Sequence, residues 1–298
     1  MSAGQLRTIK SRIRSVENTK KITRAMEMVS ASKLKRVQGM MMRSRPYTQG
    51  LEDMLSRLMQ DQRAENSASE KAETLHPFFE ERDEKKSLVV LMTSDAGLCG
   101  SYNTDLIQLT RKHLGQCQNH PQLIGIGKMG IRALRRDGFD FIQTYTDIKT
   151  YQLEDTIKSL SSELQNAYLS KRVDAVYVIY SHFITISSYK NVVEKILPLK
   201  EPAKTEPADG RAVPYIYEPS PENIFKQLIP AYFVAKTRAI YLEALVSEYM
   251  ARMNAMHLAT KNADDMVDSL VLVRNKVRQA IITKEIIEVV SGSRALKS

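Results

Sequence analysis

Residues 5–38 and 231–291 of this 298-residue chain contain neither glycine nor proline. Runs of 34 and 61 residues without the two strongest chain breakers leave helix as the only element long enough to use them, because strands are short and closely punctuated. In the first run apolar residues recur at three- and four-residue steps: Leu6, Ile9, Ile13 and Val16, then Ile22, Met26 and Val29, with Leu34 and Val37 continuing. In the second they fall at Met256, Ala259, Ala263, Met266, Leu270, Val273, Val277 and Ile281. A period near 3.5 predicts two helices wound on each other as a left-handed supercoil. At the α-helical rise the runs span roughly 50 and 90 Å. Neither fits inside a compact domain, so a long antiparallel hairpin with both termini at one end is the economical arrangement. Its facing stripe is rich in Met and Ala rather than uniformly Leu, which core packing of two helices explains.

Between the runs the chain is built differently. Seven of its ten prolines lie from Pro198 to Pro230. Ser87 to Thr93 reads as a buried strand, followed by a glycine-containing turn and a helix around Leu106 to Leu114. Gln122 to Ile126 is a second strand, Met129 to Arg136 a short helix, Phe139 to Thr144 a third strand and Leu153 to Leu169 a helix. Val173 to Tyr180 is a further strand. Strand and helix taking turns predicts an open, mainly parallel sheet with helices on its faces. Ser220, Pro221 and Glu222 read as an N-cap, a first-position proline and an acid in the first turn of the last helix. Pro230 then either kinks that helix or marks a restart.

Apolar residues make up 43% and charged residues 26% of the chain, the balance of an ordinary folded protein. Cys99 and Cys117 are too few for a disulfide framework and suit a reducing compartment. The longest clean apolar runs, Leu88 to Met92 and Ala175 to Tyr180, fall far short of a membrane span. The opening MSAGQLRTIK has no apolar core, so no secretory signal is expected. Lys and Arg outnumber Asp and Glu by 44 to 34. Residues 1–45 hold twelve of the basic residues and only two acids, Glu17 and Glu27, leaving 32 of each sign elsewhere. So one-sided a placement points to an anionic partner: nucleic acid, anionic lipid or an acidic protein surface. Residues 1–46 lack Phe, Tyr and Trp, which leaves phosphate contact open but does not indicate base reading.

Two motifs invite a catalytic reading. Gly125-Ile-Gly127-Lys-Met-Gly130 is a literal G-x-G-x-x-G between a strand and a helix, with Asp147 about twenty residues on, as a dinucleotide site requires. It does not open the sheet, and its helix carries Arg132, Arg135 and Arg136, so a tight turn is the plainer reading. Thr93-Ser-Asp-Ala-Gly-Leu-Cys-Gly-Ser-Tyr-Asn103 places serine, aspartate and cysteine in one loop. His76, His113, His120, His182 and His257 could approach it only through the fold. Their spacing supports no zinc site, and Cys99 reads as a small buried apolar residue. The acidic pairs Glu80–Glu81 and Asp264–Asp265 read as solvated faces. Nothing matches a P-loop.

Three separated blocks carry a resemblance. Residues 11–37, SRIRSVENTKKITRAMEMVSASKLKRV, the loop SDAGLCGSYN at 94–103, and residues 248–291 closely resemble, in that order, the N-terminal, central and C-terminal signatures of the gamma subunits of F-type ATP synthases. The loop departs from the family pattern at Ala96 and Ser101. The resemblance implies an α/β central domain with a long antiparallel coiled coil of the N- and C-terminal helices. The boundaries it suggests are an N-terminal coiled-coil helix at 1–60, a linker at 61–74, an open-sheet, Rossmann-like α/β domain at 75–200, a Pro-rich linker at 201–220 and a C-terminal coiled-coil helix at 221–298. It implies a non-catalytic rotor shaft that couples proton flow through a membrane ring to ATP synthesis or hydrolysis, and regulates both. Its partners would be the alpha and beta subunits of the catalytic hexamer, the epsilon subunit and the c-ring, with no nucleic acid, cofactor, metal or direct membrane span. Lys20, Lys21, Arg24 and Met26 match the stretch that faces an acidic loop of the beta subunit. Arg278, Gln279, Thr283 and Glu285 match the C-terminal stretch that contacts loops of the hexamer. The expected location is peripheral, on the cytoplasmic face of a bacterial inner membrane. A dinucleotide enzyme using Gly125 to Gly130 and a nucleic-acid-binding arm are the competing classes; each explains one segment and leaves the others idle.

Overall fold

The structure is a computed structural model that describes residues 3–66, 76–117, 121–185, 188–199, 218 and 220–295. The 201–220 segment expected as a Pro-rich linker, and residues 67–74 of the expected 61–74 linker, lie largely or wholly outside the described residues. The chain divides into two compact units, one of residues 33–251 and one of residues 1–32 with 252–298. Two helices run through both: α1 over Ala3–Asn66 and α5 over Pro221–Ala295. α1 passes Pro46 and continues six residues beyond the boundary at 60. α5 passes Pro230 without a restart. Its first turn is capped as expected, with Ser220 Oγ accepting the Asn223 N–H at 3.3 Å.

In the 33–251 unit the strands β1 (Ser87–Met92), β2 (Gln122–Ile126), β3 (Gln143–Tyr145), β4 (Ala175–Thr185) and β5 (Ser188–Leu197) form one sheet of order β3-β2-β1-β4-β5. The first four are parallel, and β5 is antiparallel to β4. Helices α2 (Tyr102–Gln116), α3 (Lys128–Arg136) and α4 (Leu153–Leu169) alternate with the parallel strands. β1 lies at the centre and is buried along Leu88–Met92, as an apolar run covered on both faces should be. Val89 and Leu91 pack with Leu106 of α2, Leu123, Leu134 of α3 and Ile179. α4 buries Ile157, Leu160, Leu164 and Tyr168 at three- and four-residue steps, the stripe of a helix lying on a sheet.

Two expectations need correction here. The third strand, read over Phe139 to Thr144, is only Gln143–Tyr145; Phe139 and Phe141 instead turn half-buried against the core. β5 carries no strand signal in the sequence pattern and is the second difference. Lys190 through Lys195 runs polar, polar, apolar, apolar, charged, charged, with no alternation to mark a strand. The segment is held by its pairing along β4, and the adjacent Glu194 and Lys195, on opposite faces, pair with Lys236 and Glu84.

Within this unit α5 is fastened to the α/β domain. Phe233 packs on Phe78 with ring centroids 5.7 Å apart, and Phe78 meets Tyr168 at 6.1 Å. Tyr102, fully buried, donates its hydroxyl to the Ala244 carbonyl at 3.2 Å. Arg238 pairs with Glu154 of α4, Lys236 with Glu194 of β5 and His182 of β4 with Glu243. Within the same unit α1 buries Leu34, Val37, Leu55, Leu58 and Met59, and Lys33 lies over the Tyr249 ring at 5.6 Å.

The other unit is a helical pair. Lys20 pairs with Asp264, Thr23 Oγ1 meets Thr260 Oγ1 at 2.8 Å, and Glu27 pairs with His257 at 2.9 Å. Seven residues forward on α1 match seven residues back on α5, so the helices run antiparallel with a heptad repeat. The inward rows are Leu6, Ile9, Ile13, Val16, Lys20, Thr23, Glu27 and Ser30 on α1, and Met256, Thr260, Ala263, Val267, Leu270, Arg274, Val277 and Ile281 on α5.

Ile22, Val29, Met266 and Val273, expected on the seam, are instead exposed at 61, 55, 52 and 46%. On α1 the step of six from Val16 to Ile22 leaves the three–four alternation, and the unbroken phase lands on polar residues. On α5 the anchors Met256, Ala263, Leu270 and Val277 were legible. The second row could lie on either side of them, and the angle at which α1 rests selects Thr260, Val267 and Arg274.

Candidate functional site

The loop after β1 is closed upon itself. Ser94 Oγ donates to the Ala96 carbonyl at 2.6 Å and accepts from Asn103 Nδ2 at 2.7 Å, and Asn103 Nδ2 also reaches Cys99 Sγ at 3.1 Å. Cys99 is buried. Ser94 and Cys99 bond within the motif and Asp95 to the backbone of α3 and of Asp147, so these side chains act as a structural bracket.

Asp95 extends that bracket into the glycine motif. Its carboxylate accepts the Lys128 N–H at 3.1 Å and the Asp147 N–H at 2.9 Å. Met129 N–H donates to the Ser94 carbonyl at 3.1 Å, and Gly130 N–H to Thr93 Oγ1 at 2.9 Å. These three N–H groups open α3, and they are the donors a dinucleotide pyrophosphate would need. All three are taken by the chain's own β1–α2 loop. Gly127 has φ +87°, and a Cβ there would stand 2.0 Å from the Thr93 carbonyl oxygen. Gly130 likewise has Thr93 and Leu91 side chains 2.7–2.8 Å from where a Cβ would be. Asp147, in the place of a ribose-binding acid, pairs with Lys128 at 2.5 Å. The glycines serve the approach of two segments of one protein, which removes the dinucleotide reading.

The helical unit carries the remaining candidates. Lys20 faces α5 and is engaged with Asp264; Asp264, expected on a solvated face, is therefore a seam partner. Lys21 and Arg24 are exposed and make no ion pair among the described residues. Met26 is half-buried on the opposite flank, with the exposed Ile22 and Val29 at the i−4 and i+3 positions. Arg278, Gln279, Thr283 and Glu285 are all exposed on α5. The eight residues thus fall into two groups on one helical pair, one near its middle and one near its free end.

A further surface was missed from sequence. Counting from the Lys20–Asp264 pair, Ala3 at the start of α1 lies opposite Ile281. Beyond that point α5 continues to Ala295 with no described residue of α1 beside it. Every residue from Ile282 to Gly292 is exposed, including Ile282, Ile286, Ile287, Val289 and Val290. Five exposed apolar β-branched residues on one helix end are the kind of patch that marks an interaction surface. Its signal in the sequence was the apolar run continuing past the point where the N-terminal helix ends.

The chain matches the sequence model of the family described as ATP synthase over residues 5–296. It is 39% identical to the ATP synthase gamma chain of Moorella thermoacetica, over 98% of this chain and 99% of that one. It is 37% identical to the ATP synthase gamma chain of Anaeromyxobacter sp. strain Fw109-5, with the same coverage. This chain belongs to the ATP synthase gamma chain family. Solved structures share the fold of this gamma-family chain. A chain of the Euglena gracilis mitochondrial ATP synthase rotor superposes with a TM-score of 0.63 at 16% identity, over 94% of this chain and all of that one. A chain from the central stalk and c-ring of the Tetrahymena thermophila mitochondrial ATP synthase gives 0.57 at 24% identity, over 80% of this chain and 99% of that one. The α/β domain with two long terminal helices is therefore the fold shared with ATP synthase central-stalk and rotor chains.

Proposed function

We propose that this chain is the central rotor shaft of an F-type ATP synthase, a non-catalytic subunit that couples proton flow through a membrane ring to ATP synthesis or hydrolysis. The observation that carries this reading is the helical pair with its bare apolar end. A shaft must be stiff along its length and must leave its end free for a surrounding bearing. The family membership supports the same reading. The proposed partners are the alpha and beta subunits around the helical pair, and the epsilon subunit and c-ring at the α/β domain. We assign beta-subunit contact to Lys20, Lys21, Arg24 and Met26, with Lys20 acting from its pairing to Asp264. Contact with the hexamer near the shaft end is assigned to Arg278, Gln279, Thr283 and Glu285. No described helix is long and apolar enough to cross a membrane, and the proposed place is peripheral, on the cytoplasmic face of a bacterial inner membrane.

The physics is reciprocal coupling. A shaft that touches three catalytic subunits unequally gives each a different nucleotide affinity, and nucleotide state biases the shaft angle by the same free energy. A charge crossing the membrane gains about 2.3 kcal/mol per 100 mV. Several charges must be accumulated per ATP, and a helical pair can carry the strain between steps. Regulation of ATPase activity and of proton flow follows, because holding the shaft stops both.

The test is assembly. The purified chain, alone and mixed with alpha and beta subunits, is assayed for ATP hydrolysis and for complex mass. Hydrolysis only in the mixture, with one copy of this chain per three alpha–beta pairs, is expected. Failure to assemble with competent subunits would overturn the reading.

A further inference from the structure

We propose that the polar layer of the helical pair, Thr23–Thr260 flanked by Lys20–Asp264 and Glu27–His257, is a register lock that sets how far the end of α5 projects past α1. Over this one heptad, Lys20 to Glu27, the inward row of α1 holds no apolar side chain, although Ile22 lies within it and Met28 and Val29 just beyond it, all three exposed. The apolar residues that could have filled the seam are thus displaced from it by polar ones. Stability does not account for that choice. The flanking ion pairs are partly exposed, with side-chain exposures of 31 and 50% for Lys20 and Asp264, and such pairs contribute little.

Specificity does account for it. A heptad slip returns seam positions to seam positions, so the apolar rows on either side do not forbid it. The polar layer does. Slipping α5 seven residues one way sets Lys20 against Val271, Thr23 against Val267 and Glu27 against the like-charged Asp264. Slipping it the other way sets Lys20 against His257, Thr23 against Met253 and Glu27 against Met250. Both slips lose all three pairings. Thr23 is 9% exposed, so its hydroxyl is the one that counts most. In the observed register it donates to the Lys20 carbonyl at 3.0 Å and accepts from Thr260 Oγ1. With the chain reversed, Thr260 donates to the Met256 carbonyl at 2.8 Å and accepts from Thr23. Both proton arrangements are satisfied, and both require Thr23 to face Thr260.

One heptad is about 10 Å of axial travel, about half the length of the bare stretch of α5 from Ile282 to Ala295. The register stands apart from the rotor reading. Its consequence, that the shaft end reaches the right depth in its bearing, rests on that reading.

The test reads register directly in the full chain, with Cys99→Ala and Cys117→Ser removing the native thiols. Val16→Cys with Val267→Cys, one heptad along from the threonine pair, reports the observed register. Val16→Cys with Arg274→Cys reports a slip. With the native layer only the first pair should form a disulfide. In the apolar-layer variant Lys20→Leu, Thr23→Val, Glu27→Leu, Thr260→Val both pairs should form, and the melting temperature should hold or rise. The conservative variant Thr23→Ser, Thr260→Ser keeps the hydroxyls and should restore the single product. A native chain that does not form the first pair would overturn the proposal. So would an apolar-layer variant that still forms only the first, or one that melts lower with a single register.

Discussion

Gly127 illustrates how much one residue carries. Its positive φ and the 2.0 Å approach of Thr93 oxygen to an added Cβ leave alanine no place without moving β1 or α3. Gly127→Ala should cost at least about 2 kcal/mol, from strain alone, measured by denaturant unfolding of the full chain. Gly50 is the control: it lies inside α1 with nothing within 4 Å of a Cβ. Gly50→Ala should therefore stabilise by about 0.5–1 kcal/mol. Two carboxylates, the exposed Glu84 and the half-buried Glu243, should respond oppositely to pH. Hydrogen bonds from Lys195 and Tyr177 hold the Glu84 carboxyl below its usual range. Its stabilisation is present above the unfolded value and lost as pH falls through the folded one. Burial, only partly offset by His182, raises Glu243, whose protonated form fits the folded chain better. Its contribution is greatest below the unfolded value and declines as pH rises past it. In thermal melts from pH 3 to 7, Glu84→Gln should shallow the acid loss of stability, and Glu243→Gln should remove the opposing decline. At this scale the spacing G-x-G-x-x-G was legible. That its donors answer Thr93, Ser94 and Asp95 was not, since those lie over thirty residues away in sequence.

At the scale of elements, the long helices announce themselves by what they lack, and their anchors Ile13, Leu34, Val37, Met256, Ala263 and Val277 are buried as the periodicity implied. The polar stretch of the seam is hidden in the apolar period, which steps over Lys20, Thr23 and Glu27 to the nearest Ile or Val. Met26, at the edge of that stretch, is the position where a charge should matter most for coupling. Under the proposed contact, Met26→Lys would add a third cation beside Lys21 and Arg24 facing the proposed acidic loop of the beta subunit. The expected outcome is fewer protons pumped per ATP hydrolysed while hydrolysis itself persists, measured in reconstituted vesicles; an unchanged ratio would remove Met26 from the contact. β5 shows the opposite limit. An edge strand that carries charged side chains on both faces, Glu194 to Lys236 and Lys195 to Glu84, has no alternating pattern, so only its pairing with β4 reveals it.

For the molecule as a whole, the free end of α5 separates folding from assembly. Ile286 and Val289 are exposed at 58 and 73%, so serine at both should leave the melting temperature of the isolated chain nearly unchanged, within about 0.5 kcal/mol. The same double substitution, Ile286→Ser with Val289→Ser, should weaken association with the alpha–beta hexamer, read as a higher concentration of chain needed for half-maximal assembly. Equal loss of stability and of assembly would mean that the end is packed within the chain instead.

The sequence by itself determined the two long helices, the alternating α/β domain between them and, through three separated signatures, the family. These rest on local chemistry: the absence of breakers, hydrophobic period and contiguous motifs. The packed chain decides which row of α5 faces α1, that the half-exposed Asp264 pairs across the seam, that the glycine motif is closed by the chain's own loop, and that Ile282 to Gly292 of α5 stay exposed. Each depends on which residues distant in sequence arrive opposite one another. Period fixes the faces a helix offers, but only the packed neighbour selects among them.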